Sequence, residues 1–192
     1  MLERTSFAQS QTSDCIARAR ALGPLITAHA ARIEQEREIV PEVLAGLHDA
    51  QLFRMLIAKS CDGWEVEPAI FMQAIEELAK ADGSTAWCVA QASGCSMAAA
   101  YVEPKVAHHI FGDARAVMAW GPVGPNAKAV AVEGGYRTSG SWSFASGIKH
   151  ADWLGCHCPI VEPDGTPRLG ADGKPAERTV LIPKTSARIK DI

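Results

Sequence analysis

At 192 residues, 47% of them hydrophobic and 21% charged, the chain can bury one substantial core or two modest ones and reads as a soluble globular protein. Lysine and arginine number 19 against 22 acidic residues, a net charge of −3 with no basic patch or stripe of the kind that nucleic acid or an anionic membrane surface requires. Neither partner is expected, and the absence of any run near the roughly 20 apolar residues of a membrane span, or of a signal-peptide core at the amino terminus, makes the cytoplasm the expected compartment.

In chain order, helical patterning comes first. Ile16, Leu22, Leu25, Ile26, Ala30 and Ile33 form a stripe at i, i+3, i+4 spacing, which predicts a helix from near Ser13 to near Glu38. Ser13 and Asp14 offer an N-cap and a first-turn anion. Gly23-Pro24 is expected to kink or split this helix, because proline removes a ladder donor and restricts the residue before it. Pro41 suits the first turn of a second helix to about Ala50. A loop around 59–67 precedes a helix from Pro68 to Ala81, and Asp82-Gly83-Ser84 ends that helix and caps the next.

The helix after Ser84 carries Trp87, Val89 and then small residues, among them Ala90, Gly94, Cys95 and Ala98. Small side chains allow close helix packing. A short helix over Pro104–Phe111 comes next. His108 and His109 on it point about 100° apart and form no joint site.

After Ala114 the pattern turns to β. Strands are expected near Ala116–Trp120, Ala127–Glu133, Tyr136–Ser146, Asp152–Ile160 and Thr179–Pro183, with a further one over Ala187–Ile192. Pro163-Asp164-Gly165 and Asp172-Gly173 mark turns in a polar surface hairpin. The fold class is therefore α+β, a helical domain over 1–113 followed by a β domain over 114–192.

Six cysteines, at 15, 61, 88, 95, 156 and 158, include no CxxC pair and lack a secretory context, so reduced thiols are expected. Cys156-His157-Cys158 on a strand would send both sulfurs to one face and the imidazole to the other, poor geometry for one zinc ion. No metal is expected. His150 and Asp152, two apart on a strand, read either as an internal acid/base pair or as solvated side chains.

Most of the chemical signal lies in Trp120–Gly147, WGPVGPNAKAVAVEGGYRTSGSWSFASG. Gly121, Pro122, Gly124 and Pro125 make a loop whose peptide groups can approach a ligand closely. Gly134-Gly135 marks a hairpin turn. If the following strand is extended through Ser146, then Tyr136, Thr138, Gly140, Trp142, Phe144 and Ser146 share one face, and Phe144 emerges beside the Ser146 hydroxyl. The residues alone allow two readings, a flat heteroaromatic cofactor site or an ordinary hairpin with aromatic core residues.

Gly134, Gly135, Tyr136, Arg137, Ser139, Gly140, Trp142, Phe144, Ser146 and Gly147 fill the fixed positions of a GGYR-x-SG-x-W-x-F-x-SG run. This resembles the middle domain of the acyl-CoA dehydrogenase superfamily, in its flavin-dependent monooxygenase branch that hydroxylates aromatic compounds. Leu52-Phe53-Arg54-Met55 with Asp62-Gly63-Trp64-Glu65, and Glu76 through Trp87, are similar to earlier signatures of the same superfamily.

The resemblance implies an amino-terminal helical domain followed by an incomplete β-barrel or sandwich domain. It implies a two-component oxygenase that takes reduced FMN or FAD from a separate flavin reductase and hydroxylates an aromatic or polycyclic substrate with O2. Ser146 would be the catalytic hydroxyl facing flavin N5, Phe144 would pack on the ring, and Trp120, Gly121, Pro122 and Gly124 would meet the pyrimidine edge. Trp87, Gly94 and Cys95 would line the substrate pocket.

Dehydrogenases of the superfamily carry Trp-Ile-Thr where this chain reads Phe144-Ala145-Ser146, and Trp120-Gly121-Pro122 replaces their Thr-Glu-Pro. An acyl-CoA dehydrogenase-like flavoprotein acting on a thioester is the alternative. The superfamily continues past Ile192 into a helical bundle that carries the catalytic base and the tetramer interface. On that likeness a fragment, a natural truncation or a non-catalytic assembly module is a third reading, with a homotetramer expected where the bundle is present.

Overall fold

The computed structural model describes residues 2–190, with side chains from 14 onward. Helix α1 runs over Leu2–Glu36 without a break, with Pro24 inside it. It therefore begins well before Ser13, which is interior to the helix, and Asp14 pairs with Arg18 one turn on at 2.8 Å. Gly23-Pro24 does not split the helix. Cys15 and Ala19 before the proline and Ile26 and Ile33 after it are all buried in one cluster, so packing holds the stripe in register and outweighs the lost ladder bond.

Helix α2, Pro41–Asp49, starts on its proline as expected, and Gly46 lets it approach α1, since a Cβ there would lie 3.0 Å from Leu22 Cδ2. Helix α3, Pro68–Ala79, buries Phe71, Ala74 and Leu78 against α1. Arg20 clamps the outer edge of that contact through Nε and Nη2 to the two Glu77 oxygens, each at 3.1 Å. Asp82 caps α4, Gly83–Ser96, by accepting the Thr85 N–H at 2.6 Å. A 3₁₀ turn over Met97–Ala100 leads to α5, Pro104–Phe111.

Arg54 stitches the helices to the segment that enters the sheet. Its side chain is buried and donates to the carbonyl oxygens of Phe111 at 3.1 Å and Asp113 at 2.9 Å, and also to those of Cys61 and Asp62. Helix α5 leaves its last carbonyls without partners, and the guanidinium meets one of them where water cannot.

The strands are β1 Met118–Gly121, β2 Lys128–Val132, β3 Gly135–Ser139, β4 Trp153–Val161 and β5 Glu177–Pro183. They form one mixed sheet centred on β4. β5 pairs antiparallel with β4 along one edge, from Trp153↔Pro183 to Pro159↔Glu177. The other edge takes two partners end to end, β1 in parallel from Met118↔Trp153 to Gly121↔Cys156, then β2 at Ala129↔Ile160 and Val130↔Val161. Leu154, Cys156, Cys158 and Ile160 alternate into the core. Val117, Ala119, Leu154 and Cys156 join the cluster formed by α1, α2, α3 and α4.

The α+β class read from the sequence holds, as do the second to fifth helices and the four strands around β1, β2, β4 and β5. Two strand expectations do not. The chain leaves the sheet at Ser139 rather than Ser146, and residues 187–190 form no strand, while Asp191 and Ile192 lie outside the described residues.

Candidate active site

The gap between β1 and β2 on the β4 edge is what shapes the site. Residues 122–127 bulge out of the sheet there, and the segment after β3 folds back across the opening. Trp142 plugs it by donating its indole N–H to the His157 carbonyl on β4 at 2.8 Å.

The loop glycines serve this packing. A Cβ on Gly121 would lie 2.7 Å from Trp142 Cβ, and one on Gly124 would lie 1.8 Å from the Ser141 carbonyl oxygen. Their missing side chains make room for Trp142 and for the backbone of Ser141. Gly121 is buried, Pro122 is exposed and Gly124 is half-buried.

Past Trp142 the chain turns sharply. Phe144 has φ +56, a left-handed conformation rare for a bulky residue, and the Ser146 N–H closes the turn on the Phe144 carbonyl at 2.9 Å. Phe144 and Ser146 are therefore neighbours in a tight turn, not alternate residues of a strand. The phenyl ring is 78% exposed, so no core packing accounts for the strained backbone.

Ser146 is held by helix α4. Trp87 Nε1 donates to Ser146 Oγ at 2.9 Å, which occupies one lone pair and leaves the hydroxyl proton free to be donated. Trp87 is itself 57% exposed, so two large aromatic side chains flank one oriented hydroxyl at the surface. The neighbouring Cys88 thiol lies against the Gly147 N–H and is pushed up by burial.

Gly94 and Trp120 are shared by two adjoining hollows of about 340 and 300 Å³ between α4 and the sheet. Trp120 packs against Gly155, where a Cβ would come within 2.8 Å of the ring. Cys95 lines the second hollow, its thiol raised to about 11 by burial. The sequence-predicted residues thus fall into two groups, Phe144 and Ser146 with Trp87, and Gly94 and Cys95 with Trp120.

His150 and Asp152 do not pair. The Asp152 carboxylate accepts the Val117 N–H at 3.1 Å, while both ring nitrogens of His150 are buried without a partner. The imidazole sits beneath the turn, since a Cβ on Gly147, at φ +78, would lie 2.9 Å from His150 Nε2. Burial, helped by His48 and Lys184, lowers its pKa to about 4. Cys156 and Cys158 are buried on the core face of β4, away from the half-buried His157.

Sequence reasoning missed the Trp87–Ser146 bond and the buried Arg54. The first joins residues 59 apart and has no local signature. The second stood inside a motif quoted only for its likeness.

Residues 19–105 match the family model described as acyl-CoA dehydrogenase, N-terminal domain. Over 189 residues the chain is 28% identical to the flavin-dependent monooxygenase, oxygenase subunit HsaA, of Mycobacterium tuberculosis, covering 98% of this chain and 46% of the relative. It is 27% identical to the FADH2-dependent resorcinol hydroxylase, oxygenase component, of a Rhizobium species, over 92% of this chain and 41% of the relative. XiaF from a Streptomyces species, solved in complex with FADH2 and glycerol, superposes with a TM-score of 0.88 at 25% identity, over 99% of this chain and 46% of that one. The chain thus spans somewhat under half the length of the curated relatives it matches.

Proposed function

We propose that this chain, whose residues 19–105 match the acyl-CoA dehydrogenase N-terminal domain, supplies the flavin-binding part of the oxygenase component of a two-component aromatic hydroxylase. A separate reductase delivers the reduced flavin, and O2 and an aromatic ring are the other reactants. The flavin is reduced FAD or FMN, and FADH2, the form named with two relatives, is the one used in the test. The cytoplasm is the proposed compartment.

The observation that carries this reading is the turn at Phe144–Ser146. An exposed phenyl ring is held on a strained backbone, next to a hydroxyl whose orientation a second aromatic residue fixes. Strain of that kind costs on the order of 1–3 kcal/mol and persists where the surroundings enforce it. A flat ring system meeting Phe144 gains apolar contact, and the free Ser146 proton is available to a ring nitrogen or oxygen.

These residues fit a flavin. Phe144 would support the isoalloxazine, the Ser146 hydroxyl would hold a hydrogen bond at N5, and backbone groups of Trp120, Gly121, Pro122 and Gly124 would meet the pyrimidine edge. The bound flavin supplies the oxygen-transfer chemistry, and the protein supplies position and dryness. Trp87, Gly94 and Cys95 would place the ring to be hydroxylated, with the apolar wall of α4 excluding water. Because the Cys95 thiol is held protonated, it acts there as a small apolar surface and not as a nucleophile.

The reading is tested by the colour and redox preference of the purified protein. Colourless protein that retains photoreduced FAD on anaerobic gel filtration is the expected result. Tightly co-purifying yellow FAD would favour the dehydrogenase-like alternative, and retention of neither form would favour a non-catalytic module.

A further inference from the structure

His150 ends the 3₁₀ turn Ile148–His150 that follows the Phe144–Ser146 turn, and its imidazole folds back beneath Gly147. A Cβ on that glycine would meet three ring atoms, Nε2 at 2.9 Å, Cε1 at 3.6 Å and Cδ2 at 3.7 Å, so the ring fills the space under it. The ring also packs on buried Phe53, with centroids 6.1 Å apart, and Phe53 packs on His48 at 5.0 Å. Neither ring nitrogen has a hydrogen-bond partner among the described residues.

A neutral imidazole serves there as a largely apolar plug. An imidazolium would bring a charge and two N–H donors to a place with no acceptor for them. The surrounding charges do not help it. His48 from α2 and Lys184, which begins the 3₁₀ turn after β5, both oppose a further proton. Lys184 Nζ is held at the carbonyls of Ile148 and Lys149, at 3.4 and 2.8 Å, and Lys149 reaches Glu38 at 3.6 Å. The Asp152 carboxylate is engaged by the Val117 N–H, and on α4 the Cys88 thiol against Gly147 is kept neutral by burial.

The two sides of the ring differ in what can yield. Phe53 belongs to the main core, whereas the turn lies at the surface and is closed by short-range bonds, Ser146 N–H to the Phe144 carbonyl at 2.9 Å and Ile148 N–H to that of Ala145 at 3.1 Å. Gly147, at φ +78, is a ready hinge. We propose that His150 is a positioning residue for this turn: uncharged, it props Gly147 and holds Phe144 and Ser146 in place, and on taking up a proton it lifts the turn, so that acid releases the flavin while the core stays folded. This deepens the proposed function and rests on it only for taking flavin as the ligand of the turn.

Closed, the ring titrates near 4, and freed it returns to the ordinary 6.5. The opening constant is therefore flat above pH 6.5, rises tenfold per pH unit below it and levels off near 4, a rise of roughly tenfold between pH 7.5 and 5.5. Hydrogen exchange at the Ser146 and Ile148 amides, divided by the intrinsic rate at each pH, measures it. Wild type is expected to show that rise, with constants at least about tenfold above those of amides in the middle of β4 and little changed by low urea. His150→Gln should flatten the profile, and His48→Gln, which leaves the ring under Gly147, should keep it. FADH2 at about ten times its dissociation constant should lower the constants roughly tenfold.

Turn constants equal to those of β4 would mean that only global unfolding frees the ring, and would overturn the proposal. So would a flat wild-type profile, an unchanged rise in His150→Gln or its loss in His48→Gln, and the wild-type and His48→Gln profiles decide the matter even where His150→Gln does not fold. If the turn opens as expected but FADH2 leaves exchange unchanged, the flavin reading fails and the hinge stands. If FADH2 protects a turn whose profile is flat, only the role of His150 fails.

Discussion

Trp87 on α4 donates its indole N–H to the Ser146 hydroxyl at 2.9 Å, tying the small-residue helix to the turn that lies beyond β3. Trp87→Phe keeps the ring but removes the donor, and Ser146→Ala removes the acceptor. Each is expected to weaken reduced-flavin binding roughly three- to tenfold, and the double variant by little more than either one. A coupling of about 1 kcal/mol in the cycle is the sign that tryptophan acts through the serine. Strictly additive losses, measured as dissociation constants under anaerobic conditions, would show that the two act separately.

Phe144 offers a separation of stability from function. Its φ of +56 and 78% exposure mean that replacing it with glycine removes backbone strain while losing little buried surface. Relief of the left-handed conformation is worth about 1–2 kcal/mol, offset by about 0.5–1 kcal/mol of glycine entropy. Phe144→Gly should therefore unfold in urea at the same or slightly higher midpoint, yet bind reduced flavin less tightly. A clear loss of stability would mean that the ring is structural.

Arg54→Met tests the junction between helices and sheet. Methionine fills much of the space but leaves the carbonyls of Phe111 and Cys61 buried without a donor, while that of Asp113 keeps the Ala116 N–H. Each such group costs about 1–3 kcal/mol, so a loss of at least about 2 kcal/mol is expected in a urea titration. Arg54→Lys should recover only part of it, since one ammonium cannot reproduce the guanidinium fork.

His150 sets an acid limit on stability. Its folded pKa of about 4 lies below the ordinary 6.5, so the unfolded chain binds the extra proton first. Stability is fully present above pH 6.5, falls as pH drops toward 4 and levels off below that, a change of up to about 3 kcal/mol. His48, also lowered by burial, adds to the same trend. Glu77, depressed to about 2 by Arg20 and Lys80, acts in a lower window, between 4.5 and 2. His150→Gln should flatten the unfolding free energy between pH 6.5 and 4.5, and an unchanged slope there would remove His150 from the account.

Features legible in the sequence are those whose cause is local. Pro41, Pro68 and Pro104 begin helices, and Asp82 caps one, through contacts within a single turn. Leu154, Cys156, Cys158 and Ile160 alternate into the interior because one face of β4 is covered, at Leu154 and Cys156 by packed helices and at Cys158 by Ala127, Ala129 and Trp142. Period-two reasoning failed after Ser139, where the chain crosses the loop of 121–127 instead of pairing, and an aromatic residue took a conformation that its type gives no reason to expect. Gly23-Pro24 does not split α1 for the opposite reason, since contacts far along the chain keep the helix continuous. At the site, residue identities were legible and their partners were not. The role of Trp87 toward Ser146 depends on elements joined only by folding.

The central claim is that the turn at Phe144–Ser146 meets a reduced flavin. Anaerobic tryptophan-fluorescence titration with FADH2 and with oxidised FAD, on wild type and on a Phe144→Gly/Ser146→Ala double variant, tests it most directly. The account predicts reduced flavin bound roughly tenfold or more tightly than oxidised, a difference of about 1.4 kcal/mol, with that preference lost in the double variant. Equal affinities for both redox states, or a double variant that binds FADH2 as wild type does, would contradict it.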